Sequence, residues 1–61
     1  MEVFIMMQIM YNGTFVGYDY FNENEVLDEL IRIKHKYNLG RIEKASINKT
    51  YRIPVLFIES K

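Results

Sequence analysis

The sequence predicts an α+β domain of ββαββ order, in which one helix packs on one face of a four-stranded, mainly antiparallel sheet. Three observations lead to this fold class. An Asn12-Gly13 pair stands between two apolar runs, which is typical of a two-residue β-hairpin turn. The stretch after the hairpin has apolar residues at helical spacing. Two further apolar runs then complete a single domain over 1–61.

The first hairpin is predicted to pair residues 2–11 with residues 14–21. A two-residue loop fixes the register of the two strands, and the register decides which side chains share a face. The predicted cross-strand pairs are Tyr11–Thr14, Met10–Phe15, Ile9–Val16, Met7–Tyr18 and Ile5–Tyr20.

The helix is predicted over 23–38. Asn22 is placed to cap its N-terminus, and Glu25 follows three residues later, as in a capping box. Gly40 is expected to end the helix in a left-handed conformation. The apolar stripe of the helix consists of Val26, Leu30, Ile33 and Tyr37, widened by Leu27 and Ile31.

The remaining two strands are predicted over 41–48 and 51–59, with a turn at 48–50 between them. The apolar positions of the third strand change parity, which favours a bulge or an edge strand. Pro54 cannot donate a backbone hydrogen bond, so we expect it at the start of the last strand or at an edge.

The predicted hairpin is apolar on both faces, whereas one helix covers only one face of a sheet. We assign the helix to the uncharged face, which carries Val3, Ile5, Met7, Ile9, Tyr11, Val16, Tyr18 and Tyr20. The other face carries Phe4, Met6, Met10, Phe15 and Phe21, with Gln8, Gly17 and Asp19 between them.

An exposed apolar face of this size usually marks an interaction surface. The sequence therefore predicts a homodimer, and the predicted self-association interface comprises Phe4, Met6, Met10, Phe15, Leu56 and Ile58. A different protein partner and a sheet that closes on itself are the alternatives.

The net charge is zero, but residues 1–31 carry −6 and residues 32–61 carry +6. This split fits a helix dipole with acids first and bases last, and it also fits two opposed patches that steer a partner. The predicted partner-binding candidates are an acidic band of Asp19, Glu23, Glu25 and Asp28, and a basic band of Arg32, Lys36, Arg41 and Lys44.

No arrangement of residues predicts catalysis, so we expect no catalytic residue, cofactor or metal, and no enzyme. The chain has no cysteine and a single histidine, His35, which is expected to be a solvated residue near the helix end. Apolar stretches of about five residues are too short to span a membrane. Residues 1–3 lack the features of a signal peptide, so we expect a cytoplasmic protein without membrane contact.

The composition is similar to that of short accessory proteins of bacteriophages and other mobile elements: Ile, Lys, Asn and Tyr supply 23 of 61 residues. This analogy leads to the expectation of a phage-encoded viral protein that binds and inhibits or redirects a host defence or transcription protein. The alternative is a small nucleic-acid-binding regulator that uses the basic C-terminal half.

Overall fold

The computed structural model describes residues 3–61 and confirms the predicted α+β fold with ββαββ order. Glu2, where the first predicted strand begins, lies outside the described residues. The elements are β1 (Phe4–Tyr11), β2 (Thr14–Asn22), a 3-10 turn (Glu23–Glu25), α1 (Val26–Lys36), β3 (Lys44–Asn48) and β4 (Val55–Glu59).

The four strands form one mixed sheet in the order β2-β1-β4-β3. The pairs β1–β2 and β3–β4 are antiparallel, whereas the central pair β1–β4 is parallel. Two backbone bonds flank this parallel ladder, from Gln8 N–H to Pro54 O (2.9 Å) and from Asn12 N–H to Ile58 O (2.8 Å). The edge strands are therefore β2 and β3, and the edge position predicted as one option for the third strand is observed.

The tight turn of the first hairpin forms as predicted. Asn12 and Gly13 both have positive φ angles, 49° and 81°. A type I′ turn requires this left-handed conformation at both central positions, and Asn followed by Gly adopts it at little cost.

The helix region begins with the predicted cap but not as one continuous α-helix. The Asn22 side chain accepts a hydrogen bond from the Asn24 N–H (2.9 Å), which caps the 3-10 turn. The α-helix proper starts only at Val26, where the preceding Glu25 makes no side-chain cap. The predicted capping box is therefore incomplete.

The left-handed residue that ends α1 is Asn38, with φ 54°, and not Gly40 as predicted. Leu39 N–H donates to Lys34 O (2.9 Å), the long-range bond of a Schellman-type end. Gly40 instead leaves room for the Tyr11 side chain, because a Cβ at this position would lie 3.0 Å from the Tyr11 hydroxyl oxygen. That hydroxyl donates to the Arg41 carbonyl (2.9 Å) and so ties β1 to the segment that follows the helix.

Both of the last two strands are shorter than predicted. β3 begins at Lys44 and not at residue 41, and β4 begins at Val55 because the connection between the two strands is longer than predicted. Asn48 Oδ1 accepts hydrogen bonds from the Thr50 N–H and hydroxyl (2.9 and 2.6 Å), which forms the predicted turn. Residues 51–53 are irregular, and Pro54 directly precedes β4, one of the two positions predicted for it.

The register of the hairpin differs from the prediction beyond its first two pairs. A bulge makes Ile9 face Gly17 instead of Val16, so Val16 is the extra residue of β2. A one-residue slip turns each later side chain to the opposite face. Phe21 consequently lies on the helix side and is fully buried, whereas Tyr18 and Tyr20 lie on the other side.

The assignment of Leu56 and Ile58 to the self-association face is wrong. The parallel pairing of β4 with β1 places Leu56 beside Ile9 and Ile58 beside Tyr11, on the helix side. Both side chains are buried, so they belong to the core beneath α1. The core cluster of the described residues consists of Met7, Ile9, Phe21, Ile33, Leu56 and Ile58.

Candidate protein-binding surface

The face of the sheet that α1 does not cover is apolar, aromatic and accessible. The strand registers place nine uncharged residues in the middle of this open face: Phe4, Met6, Gln8, Met10, Phe15, Tyr18, Tyr20, Val55 and Phe57. Its margins carry Asn22, Ser46, Asn48 and the ion pair of Lys44 with Glu59. Four of its aromatic rings are more than half exposed: Phe4 (54%), Phe15 (51%), Tyr18 (52%) and Tyr20 (57%). None of the nine side chains is ionised at neutral pH, so the middle of the open face carries no formal charge.

The open face is level near β2 and concave near β4. Residues 51–53 form one wall of a groove of about 440 Å³, and Gln8, Met10, Val55 and Phe57 form its floor and other wall. Near β2, the rings of Phe15 and Tyr18 pack edge to face with their centroids 5.3 Å apart. This contact holds two exposed rings in a defined arrangement before any partner arrives.

The bulge that turns Tyr18 outward also turns Asp19 inward, towards the helix. Its carboxylate is 9% exposed and is bound by Lys36 Nζ (2.8 Å), the Tyr37 hydroxyl (2.8 Å) and Arg32 Nη1 (3.4 Å). Arg32 also donates to Glu29 through Nε (3.0 Å). These bonds fasten α1 to β2 and fix the strand that presents the aromatic rings.

Gly17 allows the ring of Tyr37 to lie against β2. A Cβ on Gly17 would stand 3.2 Å from Tyr37 Cε1, closer than most carbon atoms approach each other. With the ring in this position, the Tyr37 hydroxyl is 3.2 Å from the Tyr18 carbonyl and 2.8 Å from Asp19 Oδ2. The close approach at Gly17 thus positions the network around Asp19.

The charges of this network shift the pKa values of its acids downward. Burial alone would raise the pKa of Asp19, but the bonds from Lys36 and Tyr37 and the positive charges of Arg32 and Lys36 lower it overall. The bond from Arg32 lowers the pKa of Glu29 despite partial burial. Both carboxylates therefore prefer the ionised form more strongly in the folded protein than in the unfolded chain.

The charge split of the sequence is largely neutralised in space. Within residues 3–61, five of the eight Lys and Arg side chains form ion pairs with acids. Six of the eight predicted partner-binding candidates take part in these pairs: Asp19, Glu23, Arg32, Lys36, Arg41 and Lys44. Glu25 and Asp28 are exposed near the start of α1, away from the open face.

The structure brings some of the predicted interface together and adds residues that the sequence prediction missed. Phe4, Met6, Met10 and Phe15 share the open face as predicted. Tyr18 and Tyr20, which the prediction placed on the helix side, join them, and Phe57 of β4 does so too. The outward orientation of Tyr18 and Tyr20 could have been predicted from Asp19 between them. If Asp19 points towards the helix, it can pair with Arg32 and Lys36, which lie one helical turn apart, and its two neighbours must then point away.

Comparison with family models, with curated proteins and with solved structures finds no match for the chain. Across residues 3–61, no helix is long and apolar enough to cross a membrane. The same residues contain no group of three or more acidic, histidine or cysteine side chains able to hold a metal ion.

Proposed function

We propose that this chain is a non-enzymatic protein-binding module, and that its open face binds a second copy of the chain. The observation that supports this most directly is the cluster of half-exposed aromatic residues on the sheet face that α1 does not cover. Large exposed apolar patches are uncommon on monomeric proteins and usually mark interaction sites.

The lack of charge in the middle of the open face favours a second copy over a charged partner. A two-fold symmetric interface places the same surface of both protomers in contact, so any charge near the axis meets its own copy. The central side chains of the open face, such as Met6, Gln8 and Tyr18, avoid that repulsion. Two such faces can pack as stacked sheets about 10 Å apart.

The size of the molecule is also compatible with a dimer. Its two largest dimensions are 31 and 23 Å, and an interface of standard size buries roughly 800 Å² on each partner. The domain also gains from association, because only seven apolar residues are buried within residues 3–61. Domains of about 60 residues often need a further source of stability.

Sedimentation equilibrium of the full chain tests the proposal. We expect a species of twice 7.4 kDa at about 100 μM, in line with an interface of standard size. The double variant Phe15→Ser/Tyr20→Ser should sediment as a folded monomer, since both rings are exposed in the protomer. The control Leu27→Ser/Ile31→Ser changes exposed residues of α1 and should remain dimeric; a wild-type monomer at this concentration would overturn the proposal.

Nucleic-acid binding is the second candidate, because Tyr18 and Tyr20 could stack on bases from the open face. It receives less support, since most cations of the basic half are already paired with acids. Retention on single-stranded DNA that falls steeply between 50 and about 200 mM salt would favour it over the protein-binding proposal. That any target is a host defence or transcription protein stays a prediction from composition.

A further inference from the structure

The two sides of the open face differ in shape. The level side carries the ring pair, Phe15 and Tyr18 of the edge strand β2, and both residues are more than half exposed. The concave side is the β4 groove, the groove of about 440 Å³ that residues 51–53 bound. Its volume falls within the roughly 300–1,000 Å³ of clefts that hold drug-sized ligands, so the groove has room for two aromatic side chains.

The ring pair and the β4 groove lie at the same level along the strands, on opposite sides of β1. Two rows of paired residues cross the strands β2, β1 and β4. The rows are Phe15–Met10–Phe57 and Tyr18–Gln8–Val55. Each row begins at one member of the ring pair and ends at a residue that lines the β4 groove. Because β1 is the middle strand of the uncharged part of the open face, a half-turn about β1 exchanges the ring pair with the groove.

A two-fold dimer that packs face to face has its axis in the plane between the two sheets. If the axis runs along β1, β2 of each protomer lies over β4 of the other, and both ring pairs meet a β4 groove. If the axis runs across the strands, β2 lies over β2 and β4 over β4, so no ring pair reaches a groove. Only the axis along β1 therefore matches the exposed rings with the concave side, and shape complementarity of this kind is typical of stable interfaces.

The side chains of the β4 groove also suit aromatic rings. Among the described residues that line it, Arg52 alone is charged, and its exposed side chain forms no ion pair within residues 3–61. A guanidinium group binds favourably over the face of an aromatic ring. With the axis along β1, Tyr18 of the other protomer supplies such a ring. Met10 and Phe57 offer a thioether and a ring to Phe15 in the same way.

We infer that the ring pair of each protomer enters the β4 groove of the other, with the two-fold axis along β1. This arrangement rests on the proposed function, and it adds the orientation of the two copies and the residues that meet. The contact occurs twice by symmetry, so one substitution acts at two places in each dimer. A peptide or a small apolar molecule in the groove would leave the ring pair uncovered, whereas a second copy covers both.

Nuclear Overhauser effects between chains test where the ring pair lies. Equal amounts of isotope-labelled and unlabelled full-length chain are mixed, so that dimers with one chain of each kind form. We expect transfer from the ring protons of Phe15 and Tyr18 in one chain to the methyl groups of Ile53 and Val55 in the other. Transfer between the β2 rings of the two chains would overturn the inference and leave the dimer standing. A dimer without transfer between open faces would overturn the proposed function as well.

Matched charge variants at position 18 test the contact with Arg52. Tyr18 is exposed in the protomer, so Tyr18→Glu and Tyr18→Arg should both fold, which circular dichroism checks. Since Arg52 of the other protomer lies beside this position in the inferred dimer, Tyr18→Glu should dimerise at least about tenfold more tightly than Tyr18→Arg in sedimentation equilibrium. Addition of Arg52→Glu to each variant should reverse this order.

Lys34→Glu is the matched control for Arg52→Glu, because it changes the net charge equally but lies in α1, on the other layer. Added to the two variants at position 18, it should leave their order unchanged. Equal affinities of Tyr18→Glu and Tyr18→Arg would contradict the inference, while a dimeric wild type would still support the proposed function. A monomeric wild type would contradict both.

Discussion

Asp19 shows how one residue connects the strand register to the surface of the molecule. In a regular hairpin it would share a face with Phe15, whereas the bulge places it under α1 with Lys36 and Tyr37. The pKa of Lys36 is raised by its bond to the Asp19 carboxylate, and burial raises the pKa of Tyr37. At neutral pH, Lys36 and Tyr37 therefore stay protonated as donors while the Asp19 carboxylate stays ionised as their acceptor.

Stability should fall in acid because of these carboxylates. Groups whose pKa is lowered by folding stabilise the native state above their unfolded pKa, and that contribution is lost as the pH drops through the folded value. Since folding lowers the pKa of both Asp19 and Glu29, the free energy of unfolding should be level above about pH 5 and decline below about pH 4.

Urea titrations at a fixed protein concentration between about pH 2.5 and 7 measure this decline. Asp19→Asn should be less stable than the wild type at pH 7 and should lose less stability on acidification, because one of the two titrating acids is gone. Glu25→Gln, at an exposed position without an ion pair within residues 3–61, is the control and should follow the wild type. A full wild-type decline in Asp19→Asn would contradict the assignment.

At the scale of elements, the sequence predicted what depends on neighbouring residues. The Asn12-Gly13 turn, the Asn22 cap and the position of Pro54 at the start of β4 follow from local backbone chemistry. The bulge at Val16 could not be predicted from the alternation of apolar residues along β2. Tyr18 and Tyr20 are apolar enough to be buried in a regular register, and Phe21 is apolar enough to be buried in the bulged one. The side on which Leu56 lies depends on its parallel pairing with β1, a contact between distant parts of the chain.

Deletion of Val16 should leave the cooperative fold intact. The deletion removes the extra residue of β2, so a regular ladder still pairs Ile9 with Gly17 and Ile5 with Phe21, and Phe21 stays in the core. Phe21→Ala should instead abolish the fold, because loss of a buried phenylalanine costs about 3–5 kcal/mol, which is comparable to the whole stability of a core of this size, about 3–5 kcal/mol.

Thermal unfolding followed by circular dichroism, together with the dispersion of amide resonances, tests the effect of the deletion. The control Val16→Ala keeps the bulge and removes only two methyl groups from a half-buried side chain, so it should remain folded. Unfolding of the deletion variant would contradict the assignment of Val16 as the extra, unpaired residue of β2.

At the scale of the whole molecule, each of the two layers has an apolar surface that the other does not cover. The open face lies on the sheet layer, and the exposed side chains of Leu27 (77%) and Ile31 (55%) lie on the helix layer. The proposed dimer through the open face would therefore leave these helix side chains accessible.

If the dimer contributes to stability, the midpoint of thermal unfolding should depend on protein concentration. Mass action favours the folded dimer by about 1.4 kcal/mol for each tenfold increase in concentration, which corresponds to a rise of roughly 4 °C for a protein of this size. Scanning calorimetry between about 10 and 1,000 μM measures the rise, and Phe15→Ser/Tyr20→Ser should show none. A wild-type midpoint independent of concentration would indicate that each protomer is stable alone.

The bulge in β2 has one more consequence, which concerns polymerisation. An edge strand of nine residues offers unpaired backbone groups to any neighbouring chain, and β2 is such a strand. The extra residue at Val16 interrupts the even spacing of those groups, and the other edge, β3, is short and begins with Lys44. Both edges thus discourage the open-ended strand addition that leads to fibrils, which is compatible with the proposed dimer, an assembly that closes at two copies.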